Sequence, residues 1–210
     1  MLNSWLLKLQ KIRVIAVIRA SQLELGRDMA LAVAQGGINL IEITWNSAEA
    51  GTLIDKLRSE LPNHTIGTGT VLNLRDLNNA IAAGAEYVFT PHVDSELIRT
   101  GLEQNIPVIP GALTPTEIVS AWNLGASCIK VFPVQSLGGA NYIKSLQGPL
   151  GHIPLIPTGG VTLENARDFL LSGAIAVGLS GELFPKALVE TGNWDAIAQN
   201  AKTLSQTLEI

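Results

Sequence analysis

A strict alternation of short apolar segments with stretches of helical pattern runs the length of this chain, and it constrains the fold more than any other feature. The segments Val14–Ile18, Leu40–Thr44, Thr65–Val71, Tyr87–Thr90, Pro107–Ile109, Cys128–Phe132, Leu155–Pro157 and Ala174–Leu179 are all strand-like in length and composition. Helices ending in Gly36-Gly37-Ile38, Gly84-Ala85, Gly125-Ala126 and Gly173-Ala174 lead into the next strand. Eight βα units without reversal or linker predict a closed (β/α)8 TIM barrel, and an open doubly wound sheet is the alternative that spacing alone leaves standing. Trp5, Leu6 and Leu9 have helical spacing, so a short N-terminal helix is expected to close one end.

Composition narrows the class. With 47% hydrophobic and 15% charged residues, the chain suits a parallel sheet covered on both faces, and residues 1–210 are read as a single domain. A net charge of −4 supplies no basic field for a phosphodiester backbone, so small molecules rather than nucleic acids are the expected partners. No apolar run approaches the roughly 20 residues of a membrane span. Cys128 is the only cysteine, and Met1–Lys11 has no signal-peptide pattern, so the expected compartment is the cytoplasm.

Barrel enzymes build their sites at the C-terminal ends of the strands, which makes charges there informative. Side chains alternate along a strand. Arg19 therefore shares a face with Ile15 and Val17, Glu42 with Leu40 and Thr44, and Lys130 with Cys128 and Phe132. If those faces point inward, the three charges meet at one mouth. A buried ion network holding strand register would use the same residues, but such networks rarely outperform apolar packing in stability, which favours catalysis. Lysine is the distinctive choice, because an amine can attack a ketone and a guanidinium cannot. A lysine with a reference pKa of about 10.4 is neutral in roughly one molecule in 2,500 at pH 7. A Schiff-base lysine therefore needs desolvation, which Ile129, Val131 and Phe132 supply here.

Two further segments suggest an anion. Pro157-Thr158-Gly159-Gly160-Val161-Thr162 follows the seventh strand, and Gly178-Leu179-Ser180-Gly181-Glu182 follows the eighth. Small residues let backbone N–H groups approach a phosphate, and these two loops form the usual barrel phosphate site. Tight turns with Thr162 as a helix cap are the plainer alternative. His92 follows the fourth strand and could line the mouth, whereas His64 and His152 sit in loop-like segments. None has zinc-ligand spacing, so neither metal nor cofactor is expected.

Taken together, these segments resemble the 2-keto-3-deoxy-6-phosphogluconate (KDPG) and 4-hydroxy-2-oxoglutarate (KHG) aldolase family along nearly the whole chain. The resemblance rests on Val17-Ile18-Arg19-Ala20, Gly36-Gly37-Ile38 through Ile41-Glu42-Ile43-Thr44, Ile66-Gly67-Thr68-Gly69-Thr70-Val71, Pro107-Val108-Ile109-Pro110-Gly111, Ile129-Lys130-Val131-Phe132-Pro133 and Pro157-Thr158-Gly159-Gly160-Val161. It implies a metal-free, cofactor-free homotrimer of barrels that cleaves a phosphorylated 2-keto-3-deoxy acid to pyruvate and an aldehyde, in Entner-Doudoroff carbohydrate metabolism. It also implies that Lys130 forms the imine and Glu42 moves protons. Thr70, Pro91 and Phe132 shape the pyruvate pocket, Arg19 binds the carboxylate, and Gly159, Gly160 and Ser180 or Gly181 hold phosphate.

The sequence departs from the family where many members carry a substrate-binding arginine after the glutamate strand, for it reads Thr44-Trp45-Asn46-Ser47 there. The Asn-Ser pair resembles aldolases of the 6-phosphogalactonate analogue, the nearest alternative substrate. Outside this chemistry, the alternatives are a phosphosugar epimerase or phosphate-transfer barrel, and a non-catalytic barrel that binds a phosphometabolite.

Overall fold

The computed structural model describes residues 2–208. Helix α1 (Leu2–Ile12) precedes the alternating units β1 (Val14–Ile18), α2 (Leu23–Gln35), β2 (Leu40–Thr44), α3 (Ala50–Glu60), β3 (Thr65–Gly69), α4 (Leu74–Ala82), β4 (Val88–Phe89) and α5 (Ser95–Glu103). Then come β5 (Val108–Ile109), β6 (Gly111–Ala112), α6 (Pro115–Asn123), β7 (Ile129–Val131), a 3₁₀ turn at Val134–Leu137, α7 (Ala140–Leu150), β8 (Leu155–Pro157), α8 (Ala166–Leu171), β9 (Val177–Leu179), α9 (Lys186–Glu190) and α10 (Trp194–Thr207). All strand pairs are parallel. They form a curled sheet in two parts, one ordered β5-β4-β3-β2-β1-β9 and the other β6-β7-β8.

The local causes are readable. Thr114 and Glu117 form a reciprocal capping box at the start of α6 with Pro115 in the first turn, and Asn73 and Asp94 cap α4 and α5. At the other ends, Gly84 and Gly125 take φ of 91° and 98°. There Gly84 N–H reaches Ile81 O at 2.9 Å and Ala85 N–H reaches Ala80 O at 3.0 Å, the paired bonds that close a helix and swing the chain toward the next strand.

Four strands are shorter than the sequence predicts, with Thr65–Gly69, Val88–Phe89, Ile129–Val131 and Val177–Leu179 where longer segments are expected, and one differs in kind. The fifth segment, read as Pro107–Ile109, continues past Pro110 as a separate strand. Proline has no N–H to donate, so the ladder changes partners there: β5 pairs with β4, and β6 pairs with β7. The Pro110 carbonyl still accepts Lys130 N–H at 2.9 Å. Across the other junction, Thr158 and Gly178 form an isolated parallel bridge, and Ile175 N–H donates to Leu155 O at 3.0 Å.

Alternation along the strands divides the core. Ala16, Ile18, Ile41, Ile43, Ile129 and Val131 pack outward against helices, while Ile15, Val17, Leu40, Phe89, Ile109 and Ile156 form an inner cluster. Helix α1 completes that inner cluster with Trp5 and Leu9. The Trp5 ring centroid lies 4.8 Å from that of Tyr87, which in turn meets Phe89 edge-on at 5.8 Å. β3 makes room for this column, since a Cβ on Gly67 would come within 2.6 Å of the Tyr87 ring. No helix of the described residues is long and apolar enough to cross a membrane.

Because Trp5 is only 5% exposed, Trp5→Ala is expected to cost about 3 kcal/mol, as truncation of a core aromatic does. Chemical denaturation reads this directly. A loss under about 1 kcal/mol would show that α1 is an ornament rather than part of the core.

Candidate active site

The inner cluster stops short of the C-terminal strand ends, and a pocket of about 480 Å³ opens there. Its wall contains Arg19 beyond β1, Glu42 and Thr44 of β2, Thr70 beyond β3, Pro91 beyond β4, Lys130 of β7 with Phe132 after it, Gly159 and Gly160 beyond β8, and Ser180 and Gly181 beyond β9. The three charges at the strand ends and the pocket and loop residues named with them are therefore on one surface.

Lys130 is 6% exposed, so its stem is enclosed while Nζ looks into the pocket. Two aromatic rings surround the amine, with centroids at 4.9 Å for Phe132 and 5.7 Å for Phe89. Glu42 is deeper still, at 2% exposure, and its Oε1 has no hydrogen-bond partner. Burial holds this carboxyl above the ordinary glutamate range, and the nearby cations of Lys130 and Arg19 pull it back only in part. A carboxyl with a raised pKa and a free oxygen is suited to accept and return a proton. The space for it comes from Gly69, because a Cβ at that position would overlap Glu42 Oε1. Sequence reasoning missed Gly69 as a site residue. Its signal was the Gly67-x-Gly69 alternation, which leaves the inner face of β3 bare.

Thr70 adopts φ of 61°, an uncommon conformation for a β-branched residue, where it turns out of β3 into the pocket wall. Gly159 and Gly160 take φ of 83° and 89° in succession. Their carbonyls are committed to the scaffold, receiving Gln135 N–H at 3.2 Å and Asn165 Nδ2 at 3.0 Å. Thr162 accepts Asn165 N–H at 3.1 Å and so does cap the following turn, yet it also lines the pocket, which makes the two readings of this loop compatible. Ser180 and Gly181 are both exposed at the rim, with Glu182 beside them. Thr44, Thr158 and Glu182 are wall residues that the sequence reading did not single out.

Not every suggestion reached the site. His92 does not line the pocket: its chain turns away after β4, and Nε2 lies 3.9 Å from Asp94 Oδ2. His152 stacks edge-on against Trp122, far from this mouth in the loop before β8. Among the described residues, no group of three or more His, Cys, Asp or Glu side chains could hold a metal ion.

Residues 7–200 match the family model described as KDPG and KHG aldolase. The chain belongs to that family. It is 40% identical over 167 residues to a 2-dehydro-3-deoxy-phosphogluconate aldolase of Pseudomonas aeruginosa, covering 79% of this chain and 76% of the relative. A protein of the same name from Haemophilus influenzae is 34% identical over 193 residues, 91% of each chain. Among solved structures, KDPG aldolase of Legionella pneumophila, with pyruvate captured at low pH as a covalent carbinolamine, superposes with a TM-score of 0.86 at 28% identity, covering 93% of this chain and 95% of that one. This KDPG/KHG aldolase thus shares both sequence and fold with enzymes of the aldehyde-lyase class.

The buried carboxyl sets a linked stability effect. The folded state holds the Glu42 proton more tightly than the unfolded chain does, so its contribution is full below the ordinary glutamate pKa and declines as pH rises toward the folded value. Glu42→Gln is accordingly expected to raise the melting temperature at pH 7, with the gain vanishing below the ordinary glutamate range. Calorimetry across that range checks the sign. Gly69→Ala should lower turnover at least about 100-fold by displacing the same carboxylate, since a misplacement near 1 Å costs that much.

Proposed function

We propose that this chain cleaves 2-dehydro-3-deoxy-6-phosphogluconate to pyruvate and glyceraldehyde 3-phosphate through a Schiff base on Lys130, and that it also cleaves 4-hydroxy-2-oxoglutarate to pyruvate and glyoxylate. The observation that carries the reading is the enclosure of Lys130 and Glu42 in one pocket, with the amine facing open space between aromatic rings.

In this mechanism the neutral amine of Lys130 attacks the C2 ketone, and the resulting carbinolamine loses water to form a protonated imine. Ionised Glu42 takes the C4 hydroxyl proton as the C3–C4 bond breaks; the bonding electrons flow into the imine, giving an enamine and releasing the aldehyde. Protonation at C3 and hydrolysis then free pyruvate and restore the lysine. Arg19 pairs with the C1 carboxylate, while Thr70, Pro91 and Phe132 enclose the three-carbon end. Gly159, Gly160, Ser180 and Gly181 would hold a distal phosphate, and backbone N–H groups suit it because, among the described residues, Arg19 and Lys130 are the basic side chains on the wall.

The same reading extends to architecture. The Pro110 junction and the Thr158–Gly178 bridge support treating the two sheet parts as one closed (β/α)8 barrel within a single domain. A homotrimer in the cytoplasm is the assembly and place that the family resemblance favours, and a phosphorylated, membrane-impermeant substrate fits that compartment.

Incubation with pyruvate and borohydride, followed by peptide mass spectrometry, should place a reduced adduct on Lys130, and Lys130→Ala should lose both adduct and turnover. A folded protein that forms no adduct would instead be a phosphometabolite-binding barrel. Comparing the two C4 epimers of the phosphorylated substrate separates the gluconate from the galactonate configuration. Because Glu42 must be ionised to act as base, the acid limb of kcat/KM is expected above the ordinary glutamate range, and Glu42→Gln should abolish it along with turnover.

A further inference from the structure

Arg19 stands at the exposed rim of the pocket, where an unsupported arginine would sample many rotamers and pay an ordering cost on binding. Its Nε donates to Asn46 Oδ1 at 3.3 Å. Asn46 itself is exposed and is not part of the pocket wall, so its link to the site is through Arg19.

The loop that carries Asn46 is held on three sides. Ser47 N–H closes a turn onto Thr44 O at 2.8 Å, and Trp45 N–H donates to Gly69 O at 2.6 Å across to β3. Toward β1, Ala20 N–H donates to Ser47 Oγ at 3.1 Å and Ala48 N–H to Ala20 O at 3.0 Å. Ser47 and Thr44 are both buried and share a hydroxyl hydrogen bond of 3.1 Å, which fixes the base of the turn. Ala20 follows Arg19 directly, so backbone and side chain of the arginine are anchored to the same turn.

We propose that Asn46 is a positioning residue that presents Arg19 to the substrate carboxylate. It accepts from Nε alone and leaves the terminal guanidinium nitrogens free for a two-pronged contact with a carboxylate. Asn46 therefore acts through Arg19 and does not replace a substrate-binding arginine by touching substrate itself. The inference rests on the reading of Arg19 as the carboxylate-binding group.

A double-mutant cycle tests it in the full-length enzyme, using KM for the keto acid and the inhibition constant of pyruvate. Asn46→Ala should raise both about fivefold, the loss expected of one hydrogen bond, with kcat changed less than about twofold and the melting temperature unmoved. In an Arg19→Ala background, Asn46→Ala should add nothing. Unchanged pyruvate affinity in Asn46→Ala, or an equal loss with and without Arg19, overturns the positioning role. If Arg19→Ala alone leaves pyruvate affinity intact, the carboxylate assignment of Arg19 fails first and the role of Asn46 falls with it.

Discussion

Glu42 is the residue whose burial the rest of the site accommodates. Taking an ionised carboxylate out of water costs several kcal/mol even after relaxation, and here one oxygen lacks any hydrogen bond. Two cations, Arg19 beyond β1 and Lys130 from β7, offset part of that cost, and β3 contributes only a glycine beneath the carboxyl. Stability is thus surrendered where the proposed mechanism needs a base, a trade seen wherever an active site must hold a group in an unfavourable environment. The geometry allowing this is strand alternation: the parity that sends Ile41 and Ile43 to the helices sends Glu42 to the interior.

The pocket also has a gradient from dry to wet. Lys130 and Glu42 lie at its floor, nearly sealed by Phe89, Phe132 and the inner cluster. Arg19, Ser180, Gly181 and Glu182 occupy the exposed rim, where water competes with every contact. In the proposed mechanism, bond making and breaking belong at the floor, where electrostatic effects are strong. Recognition of charged substrate ends belongs at the rim, where several donors must act together because each alone is weak. On the proposed role of Arg19, this division is the reason an exposed arginine would gain from being held by its neighbour's turn.

Much of this arrangement was legible in the residues because it depends on short-range rules. Parity along Ile15-Ala16-Val17-Ile18-Arg19 and Cys128-Ile129-Lys130-Val131-Phe132 placed the charges on the inner face, and glycines after helices marked the turns. Trp5, Leu6 and Leu9 announced the closing helix. What stayed hidden depends on distant approach. Nothing in Pro107-Val108-Ile109-Pro110 says that the strand exchanges neighbours at Pro110, since that follows from which strands flank it. Gly69 reads as one more small residue of the third strand until a carboxylate from another strand is seen where its Cβ would be. The Arg19–Asn46 bond joins loops of separate units and leaves no periodic trace. His92 looked promising only because it follows a strand, and the turn beyond β4 carried it elsewhere.

Helix α1 has one more consequence. Its Trp5 rests against Tyr87, and its inner-cluster neighbours include Cys128, Ile156 and Ala176, so its docking surface is assembled from segments spread across most of the chain. The strand that α1 leads into, β1, pairs with β9 as well as with β2. During synthesis, the first helix leaves the ribosome long before its seat exists, and it must wait as an amphipathic stretch until residues near 177 are available. Such sequence-distant contacts slow folding, because loop closure precedes the reward of packing. A helix made well before β9 is therefore among the last to be seated, and a chaperone holding the nascent chain would find in Trp5 and Leu9 an apolar handle that disappears once β9 arrives.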